Sequence, residues 1–145
     1  MAAYRVLAVA LALAVPLAGC GRDESGARTA SGSSYVDGVE AALDPAAEMA
    51  QLVTAQIRRP PAPWPSPAAV DKVIDDADRA LRDLRTLPLD DPALRRQRGR
   101  LVDGYAVALG YMRDVARDLR RRDRRDLRSD APRFFAALRD LSSRR

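Results

Sequence analysis

One stretch decides the fold: residues 91–119 read DPALRRQRGRLVDGYAVALGYMRDVARDL. Asp91-Pro92 is a good helix start, because aspartate suits the N-cap and proline the first helical position. Gly104 and Gly110 each cost about 1 kcal/mol relative to alanine, so we expect close helix neighbours at both. The apolar residues recur at three- and four-residue steps, the period of an amphipathic helix: Leu94, Leu101, Tyr105, Ala108, Met112, Val115 and Leu119, widened by Val102, Leu109 and Ala116.

Three more amphipathic segments are present, two before this helix in the chain and one after it. The first begins at Tyr35, and we expect a kink or restart of the helix at Asp44-Pro45. Its apolar stripe is Val36, Val39, Leu43, Ala46, Ala50, Val53 and Ile57. The second begins at Ser66-Pro67 and ends at Pro88, with the stripe Val70, Val73, Ile74, Ala77, Leu81, Leu84 and Leu87. The last is short, its start near Pro132 is left open, and its stripe is Phe134, Phe135, Leu138 and Leu141.

These four segments predict an all-α protein. No alternating strand pattern competes with them, and short connections between amphipathic helices favour an antiparallel four-helix bundle. The competing architecture has three helices and a loose C-terminal arm. The proline-rich connection at 58–67 predicts an extended segment. We expect Trp64 in this connection to fold back over one end of the core, because it brings a large apolar area.

The first twenty residues have the pattern of an export signal. Arg5 and the amino terminus supply positive charge, and residues 6–18 form an apolar run of thirteen residues, shorter than the ~20 that span a bilayer. The run ends in Leu17-Ala18-Gly19-Cys20, which resembles a bacterial lipobox, and Cys20 is the only cysteine. The resemblance implies cleavage before Cys20 and acylation of that residue. Two or three acyl chains attach a protein stably to a membrane.

The domain boundaries follow from this interpretation. Residues 1–19 are predicted to be a cleaved lipoprotein signal peptide, and residues 20–34 the lipidated Cys20 and a flexible linker rich in Gly, Ser and charge. Residues 35–145 are predicted to form the helical bundle domain. Removing residues 1–19 leaves a net charge of +4.

The helical part also resembles a family. It is similar to small helical lipoproteins of high-GC actinobacteria in the order of four patterns: residues 35–37 (YVD), 84–88 (LRTLP), 101–105 (LVDGY) and 134–138 (FFAAL). This resemblance implies the helical fold and a place on the cell membrane, and it supplies no catalytic residues.

Composition excludes several kinds of chemistry. The chain has no histidine and one cysteine, so zinc, haem and copper sites lack their usual ligands and Ser-His-Asp catalysis lacks its base. We expect no cofactor and no metal. Among the carboxylates, Asp71, Asp75 and Asp78 share one helix side. Their spacing from Arg79 and Arg82 favours an ion-paired surface over a catalytic or calcium site.

An arginine-rich stretch is the main candidate for binding. Residues 113–128 hold four aspartates and eight arginines, which we take as candidates for contact with an anionic surface: Arg113, Arg117, Arg120, Arg121, Arg122, Arg124, Arg125 and Arg128. The interspersed aspartates favour the plainer interpretation of an exposed, ion-paired turn. Nucleic acid is disfavoured, because no aromatic platform lies among the arginines.

The sequence therefore predicts a lipoprotein held at the extracytoplasmic side of the cell membrane by Cys20, acting by binding rather than catalysis. Its expected partner is an envelope component: anionic lipid, wall polymer or another envelope protein. The alternative is a structural accessory subunit of a membrane complex. A carboxylate-based hydrolase is the least favoured function.

Overall fold

The chain forms four helices and, within the part that the structure describes, no strand. The computed structural model describes the backbone of residues 25–59 and 61–143 and, within these ranges, side-chain burial from residue 32. The helices are α1 (Ser25–Ile57), α2 (Pro67–Thr86), α3 (Pro92–Arg121) and α4 (Arg124–Ser143). The predicted all-α, four-helix fold is confirmed. The predicted signal peptide and Cys20 lie outside the described residues.

Successive helices run antiparallel, as contacts at the two ends of the bundle show. At one end, Arg98 of α3 donates to the carbonyl of Leu87, which follows α2. A Cβ on Gly38 of α1 would lie 3.2 Å from Leu87 Cδ2. At the opposite end, Arg120 Nε of α3 lies 2.7 Å from Asp71 Oδ1 of α2. We name the first the entry end, marked by Gly38, Leu87 and Arg98, and the second the turn end, marked by Asp71 and Arg120.

One hydrophobic core joins all four helices. In α2, every residue of the predicted stripe from Val70 to Leu84 is buried, and Ser66 caps the helix by accepting the Ala69 N–H at 3.1 Å. The alternative with a loose C-terminal arm is wrong, because α4 contributes buried residues throughout its length. Fully buried side chains come from every helix: Met49, Val53, Leu84, Leu101, Tyr105, Met112, Leu127 and Phe134.

The buried side of α1 is shifted by one residue from the predicted stripe at four of its seven positions. Val36, placed in the stripe, is 37% exposed, and Leu43, Ala50 and Ile57 are only partly buried. The buried positions are instead Tyr35, Val39, Ala42, Ala46, Met49, Val53 and Gln56. The two stripes are adjacent on a helix. The observed one buries Tyr35 and Met49 in place of Val36 and Ala50, and Ala42 and Gln56 in place of Leu43 and Ile57.

The course of α1 bears on two expectations, the linker before Tyr35 and the kink or restart at Asp44-Pro45. The helix begins at Ser25, inside the segment predicted as a flexible linker, so the backbone of residues 25–34 is helical. Extending an existing helix costs far less than nucleating one, and no proline lies between residues 25 and 44. The helix also continues through Pro45 without a restart. That residues 20–34 act as a tether stays a prediction.

The start of α4 lies eight residues before Pro132, which is inside the helix. The arginine-rich stretch at 113–128, interpreted from the sequence as an exposed turn, therefore belongs to α3 and α4 on either side of a short turn. In the part of α4 before Pro132, Leu127 and Ala131 are buried. Pro132 itself is exposed, so its ring faces solvent.

Gly104 and Gly110, the two glycines of α3 for which close neighbours were expected, have different surroundings. Gly104 is buried, as expected from close helix packing. Gly110 is exposed and an added Cβ there would meet nothing within 4 Å, so the expected close neighbour is absent at that position. None of the helices in the described ranges combines the length and apolar composition needed to cross a bilayer.

Candidate functional site

The connection between α3 and α4 is a tight turn that carries arginines. Arg122 has left-handed backbone angles of φ 57° and ψ 33°, and its N–H donates to the Leu119 carbonyl at 3.2 Å. The N–H of Asp123 donates to the Asp118 carbonyl at 3.0 Å. These bonds satisfy the last carbonyls of α3. The Asp123 carboxylate then accepts the Arg125 N–H at 2.9 Å and caps α4.

Two of the candidate arginines join α3 to α2. Arg113 Nη2 lies 2.6 Å from Asp78 Oδ1, and Arg120 Nε lies 2.7 Å from Asp71 Oδ1. Both pairs are exposed to solvent, where ion pairs add little stability. In each pair the arginine and the aspartate neutralise one another, so these two arginines contribute less positive charge to the surface.

Arg124 has a different role, since it covers Trp64. Its guanidinium carbon lies 4.6 Å from the centre of the indole ring, within range of a cation–π contact. Trp64 is partly buried against the core, as predicted. Gln56 fixes the same loop by donating from Nε2 to the Pro63 carbonyl at 2.9 Å. Arg124 therefore helps to close the turn end of the core.

The remaining candidates are divided between one paired residue and four free ones. Arg117 pairs with Asp114 on the same helix. The other four are exposed and have no ion-pair partner among the described residues: Arg121, Arg122, Arg125 and Arg128. The structure thus places the eight candidate arginines in different surroundings: three are ion-paired, one covers Trp64, and four have no ion-pair partner among the described residues.

Charge is divided between the two sides of the bundle. The α3 helix holds eight arginines and three aspartates, a net charge of +5, and α4 holds five arginines and three aspartates, a net charge of +2. From Tyr35 to its end, α1 has four acidic residues and no basic one, and α2 has a net charge of −1. The pairs α1–α2 and α3–α4 are each in extensive contact, whereas α2 and α4 do not touch. One side of the bundle is therefore basic and the other acidic.

We name the outward side of α3 and α4 the basic face. It is defined by six exposed arginines that have no ion-pair partner within the described ranges: Arg96, Arg100, Arg121, Arg125, Arg128 and Arg139. Arg96 and Arg100 lie toward the entry end, as does Arg139 near the end of α4. The other three lie at the turn end. The contribution of the entry end was not among the sequence-based candidates.

The acidic side carries a groove between α1 and α2. Its volume is about 410 Å³, and small residues such as Gly38, Ala41 and Ala80 line it. Its charged lining is mostly acidic (Asp44, Glu48, Asp76 and Asp83), with Arg79 as the basic residue.

The aspartates of α2 are mostly ion-paired, but not with the partners predicted from spacing. Arg79 contacts Asp76 at 3.0 Å instead of Asp75, and Asp78 contacts Arg113. The hydrogen bond from Lys72, at 2.6 Å, lowers the pKa of Asp76. Within the described ranges, no group of three or more acidic residues has the geometry to hold a metal ion.

Two buried polar groups have a raised pKa and an atom without a hydrogen-bond partner in the described structure, and the sequence did not predict the burial of Asp118. Asp118 is 3% exposed, and its Oδ2 has no hydrogen-bond partner in the described structure. Burial, followed by repulsion from Asp130, raises its pKa to about 6. The Tyr105 hydroxyl is also buried without a partner, and burial raises its pKa. The arginines around Asp118 in sequence concealed its inward position.

No family model, no curated protein and no solved structure matches the chain.

Proposed function

We propose that the protein is a lipoprotein anchored by acylated Cys20 at the extracytoplasmic side of the cell membrane. It acts there as a non-catalytic module that binds an anionic component of the envelope. The basic face is the binding surface. The division of charge between the two sides of the bundle is the observation that carries this function.

The proposed lipid anchor and membrane location are supported by the sequence alone. An apolar run of thirteen residues ends in Leu17-Ala18-Gly19-Cys20, and the only cysteine of the chain occupies the position that lipoprotein processing requires. Acylation of one residue would add the apolar surface needed for stable attachment.

Binding is favoured over catalysis by the state of the carboxylates. Asp71 and Asp78 each accept a hydrogen bond from an arginine of α3, so these carboxylates are already engaged. Asp118 is the carboxyl group with a raised pKa, but it is buried and no substrate reaches it without opening the helices. Arginine side chains, in contrast, form strong paired hydrogen bonds with phosphate and carboxylate groups.

The groove between α1 and α2 favours a second candidate function. A protein partner with a basic helix would fit its mostly acidic charged lining and its small residues, which suits an accessory subunit of a membrane complex. Crosslinking in native membranes distinguishes the two functions. Recovery of one stoichiometric protein bound at this groove would favour the accessory role, and its absence would favour the basic face.

The substitution Cys20→Ser tests the proposed lipid anchor. We expect this variant to lose metabolic labelling by lipid and to leave the membrane fraction. A matched control is the double variant Cys20→Ser with Ser129→Cys, which keeps one thiol in the chain but moves it onto exposed α4. It should also remain unlabelled. Lipid labelling of either variant would contradict the proposed function.

A further inference from the structure

We infer that the bundle lies on its side on the membrane that anchors it, with the basic face against anionic lipid headgroups. This inference rests on the proposed function, because acylated Cys20 brings the bundle to the membrane. It adds the partner and the orientation.

The arginines are placed so that both ends of the basic face can contact one plane. Arg96 and Arg100 lie on the first turns of α3, and Arg121 is the last residue of the same helix. With a rise of about 1.5 Å per residue, the thirty residues of α3 extend about 45 Å. Exposed charges interact effectively only within about 8–10 Å in physiological salt. An upright bundle would leave one end outside this range, whereas a bundle on its side brings both ends within it.

The middle of α3 does not obstruct such contact. Its outward residues at the centre are small (Ala106, Val107 and Gly110), flanked by Asp103 on one side and by the Arg117–Asp114 ion pair on the other. Val107 is 59% exposed, and the space over Gly110 is open. The longer arginine side chains at either end therefore reach a flat surface first, and a short apolar side chain lies between them.

The acidic side of the bundle determines which side of the bundle faces the membrane. The acidic residues of α1 and α2 border a groove on the side away from the basic face. If the bundle were inverted, these groups would face phosphate groups and be repelled. A basic segment near an anionic leaflet, in contrast, is attracted to its phosphate groups. Attraction on one side and repulsion on the other favour the same orientation.

The chain between Cys20 and α1 is long enough for this arrangement. The α1 helix contacts both α3 and α4, so it lies one helix layer, about 8–10 Å, behind the basic face. Four residues lie between Cys20 and Ser25, and the five Cα-to-Cα steps that join them span up to about 17 Å. The linker is therefore long enough for the acyl chains on Cys20 to insert into the leaflet while the bundle lies on its side.

The test uses the acylated protein in vesicles, with a fluorescent label on an introduced cysteine. Because Cys20 is blocked by acylation, Val107→Cys supplies a unique thiol at the centre of the basic face. The matched control is Ala68→Cys, an equally neutral and exposed position on the first turn of α2. Vesicles of phosphatidylcholine alone are compared with vesicles that contain phosphatidylglycerol in equal parts. Acrylamide, a neutral quencher, measures the exposure of each label.

We expect phosphatidylglycerol to reduce quenching at Val107→Cys several-fold and to leave quenching at Ala68→Cys unchanged. High salt should restore quenching at Val107→Cys. When Arg121→Ser and Arg125→Ser are added to the Val107→Cys protein, two headgroup contacts are removed. The population of molecules that lie on their side should then fall on the order of tenfold. Arg82→Ser with Arg85→Ser, two exposed arginines of α2, should have no effect.

Unchanged quenching at Val107→Cys, or equal protection of both labels, would overturn the inference. Protection of Val107→Cys only after addition of a soluble wall polyanion would assign the basic face to that polymer instead. Flotation separates these results from failure of the proposed function. An acylated protein floats with both kinds of vesicle, whereas a protein without the anchor does not float with phosphatidylcholine.

Discussion

Asp118 is the residue whose charge conflicts most with its surroundings. Its side chain is buried at the end of α3 with one unpaired oxygen, and Asp123, Asp126 and Asp130 add repulsion. Burial is the largest cause of its raised pKa. An unpaired buried carboxylate destabilises the fold, so part of the stability of the bundle depends on whether Asp118 holds a proton.

We predict that stability falls as pH rises from about 4 to about 7 because of this residue. Its pKa is about 6 in the folded chain against 3.8 for an ordinary aspartate, so the folded state binds the proton more tightly. The stabilising contribution is fully present below the lower pKa and is lost as pH rises through the upper one. It amounts to about 2–3 kcal/mol. Denaturant unfolding across this pH range measures it.

Asp118→Asn is the matching variant. It removes the titrating group while keeping the shape of the side chain, so we expect a free energy of unfolding about 1–3 kcal/mol higher at pH 7. The contribution of this site to the pH dependence should also disappear. Asp114→Asn, on the outer side of the same helix, serves as the control. A variant less stable than the parent at pH 7 would show that the Asp118 carboxylate is stabilised by a group other than its described neighbours.

Gly110 offers a second test at this scale. Alanine is preferred over glycine in a helix, and an added Cβ at this position meets nothing. We expect Gly110→Ala to raise the free energy of unfolding by about 1 kcal/mol. Gly38→Ala should gain less, because its Cβ would lie 3.2 Å from Leu87. Thermal unfolding of both variants checks the difference, and an equal gain at the two positions would contradict the close approach at Gly38.

Among the elements, α4 is the helix that the sequence described least well. Its first half is rich in arginine and carries one large apolar residue, Leu127, which is fully buried. Asp123 caps the helix, and the turn before it holds α4 against α3. The last helix is therefore twenty residues long and packed from its beginning.

We predict that Leu127→Ala lowers the free energy of unfolding by about 2–5 kcal/mol, as expected for a fully buried leucine. Arg128→Ala, at the neighbouring exposed position, should change it by less than about 0.5 kcal/mol. Urea denaturation gives both values. A small effect of Leu127→Ala would mean that the first half of α4 is not part of the core.

At the scale of the whole molecule, the core and the charge distribution have different organisations. The buried residues form one cluster that includes all four helices, so the helices depend on one another. Charge, in contrast, separates the bundle into a basic and an acidic side. Ion pairs such as Arg113–Asp78 and Arg120–Asp71 lie where the two sides meet between α2 and α3.

The single core predicts cooperative unfolding. Far-ultraviolet circular dichroism follows all four helices, whereas fluorescence of Trp64, the only tryptophan, follows the turn end alone. We expect the two thermal transitions to coincide, because loss of the packing at one end removes support from the rest. An earlier transition in fluorescence would mean that the loop around Trp64 opens separately from the bundle.

The sequence by itself determined the features that depend on neighbouring residues. Ser66-Pro67 and Asp91-Pro92 marked two helix starts, since capping and the fixed φ of proline act within one turn. Apolar spacing gave the helical class and the buried side of α2. The net charge and the position of Cys20 are also properties of the chain alone.

Only the tertiary structure decided which groups are brought together from distant parts of the chain. The buried side of α1 depends on the neighbours it packs against, so two adjacent stripes could not be distinguished from their spacing. The partner of Arg120 is Asp71, forty-nine residues away, although aspartates lie nearer in sequence. Asp118 is buried because α4 folds back over it. Burial and ion pairing follow distance in space, and the folding of helices against one another sets that distance.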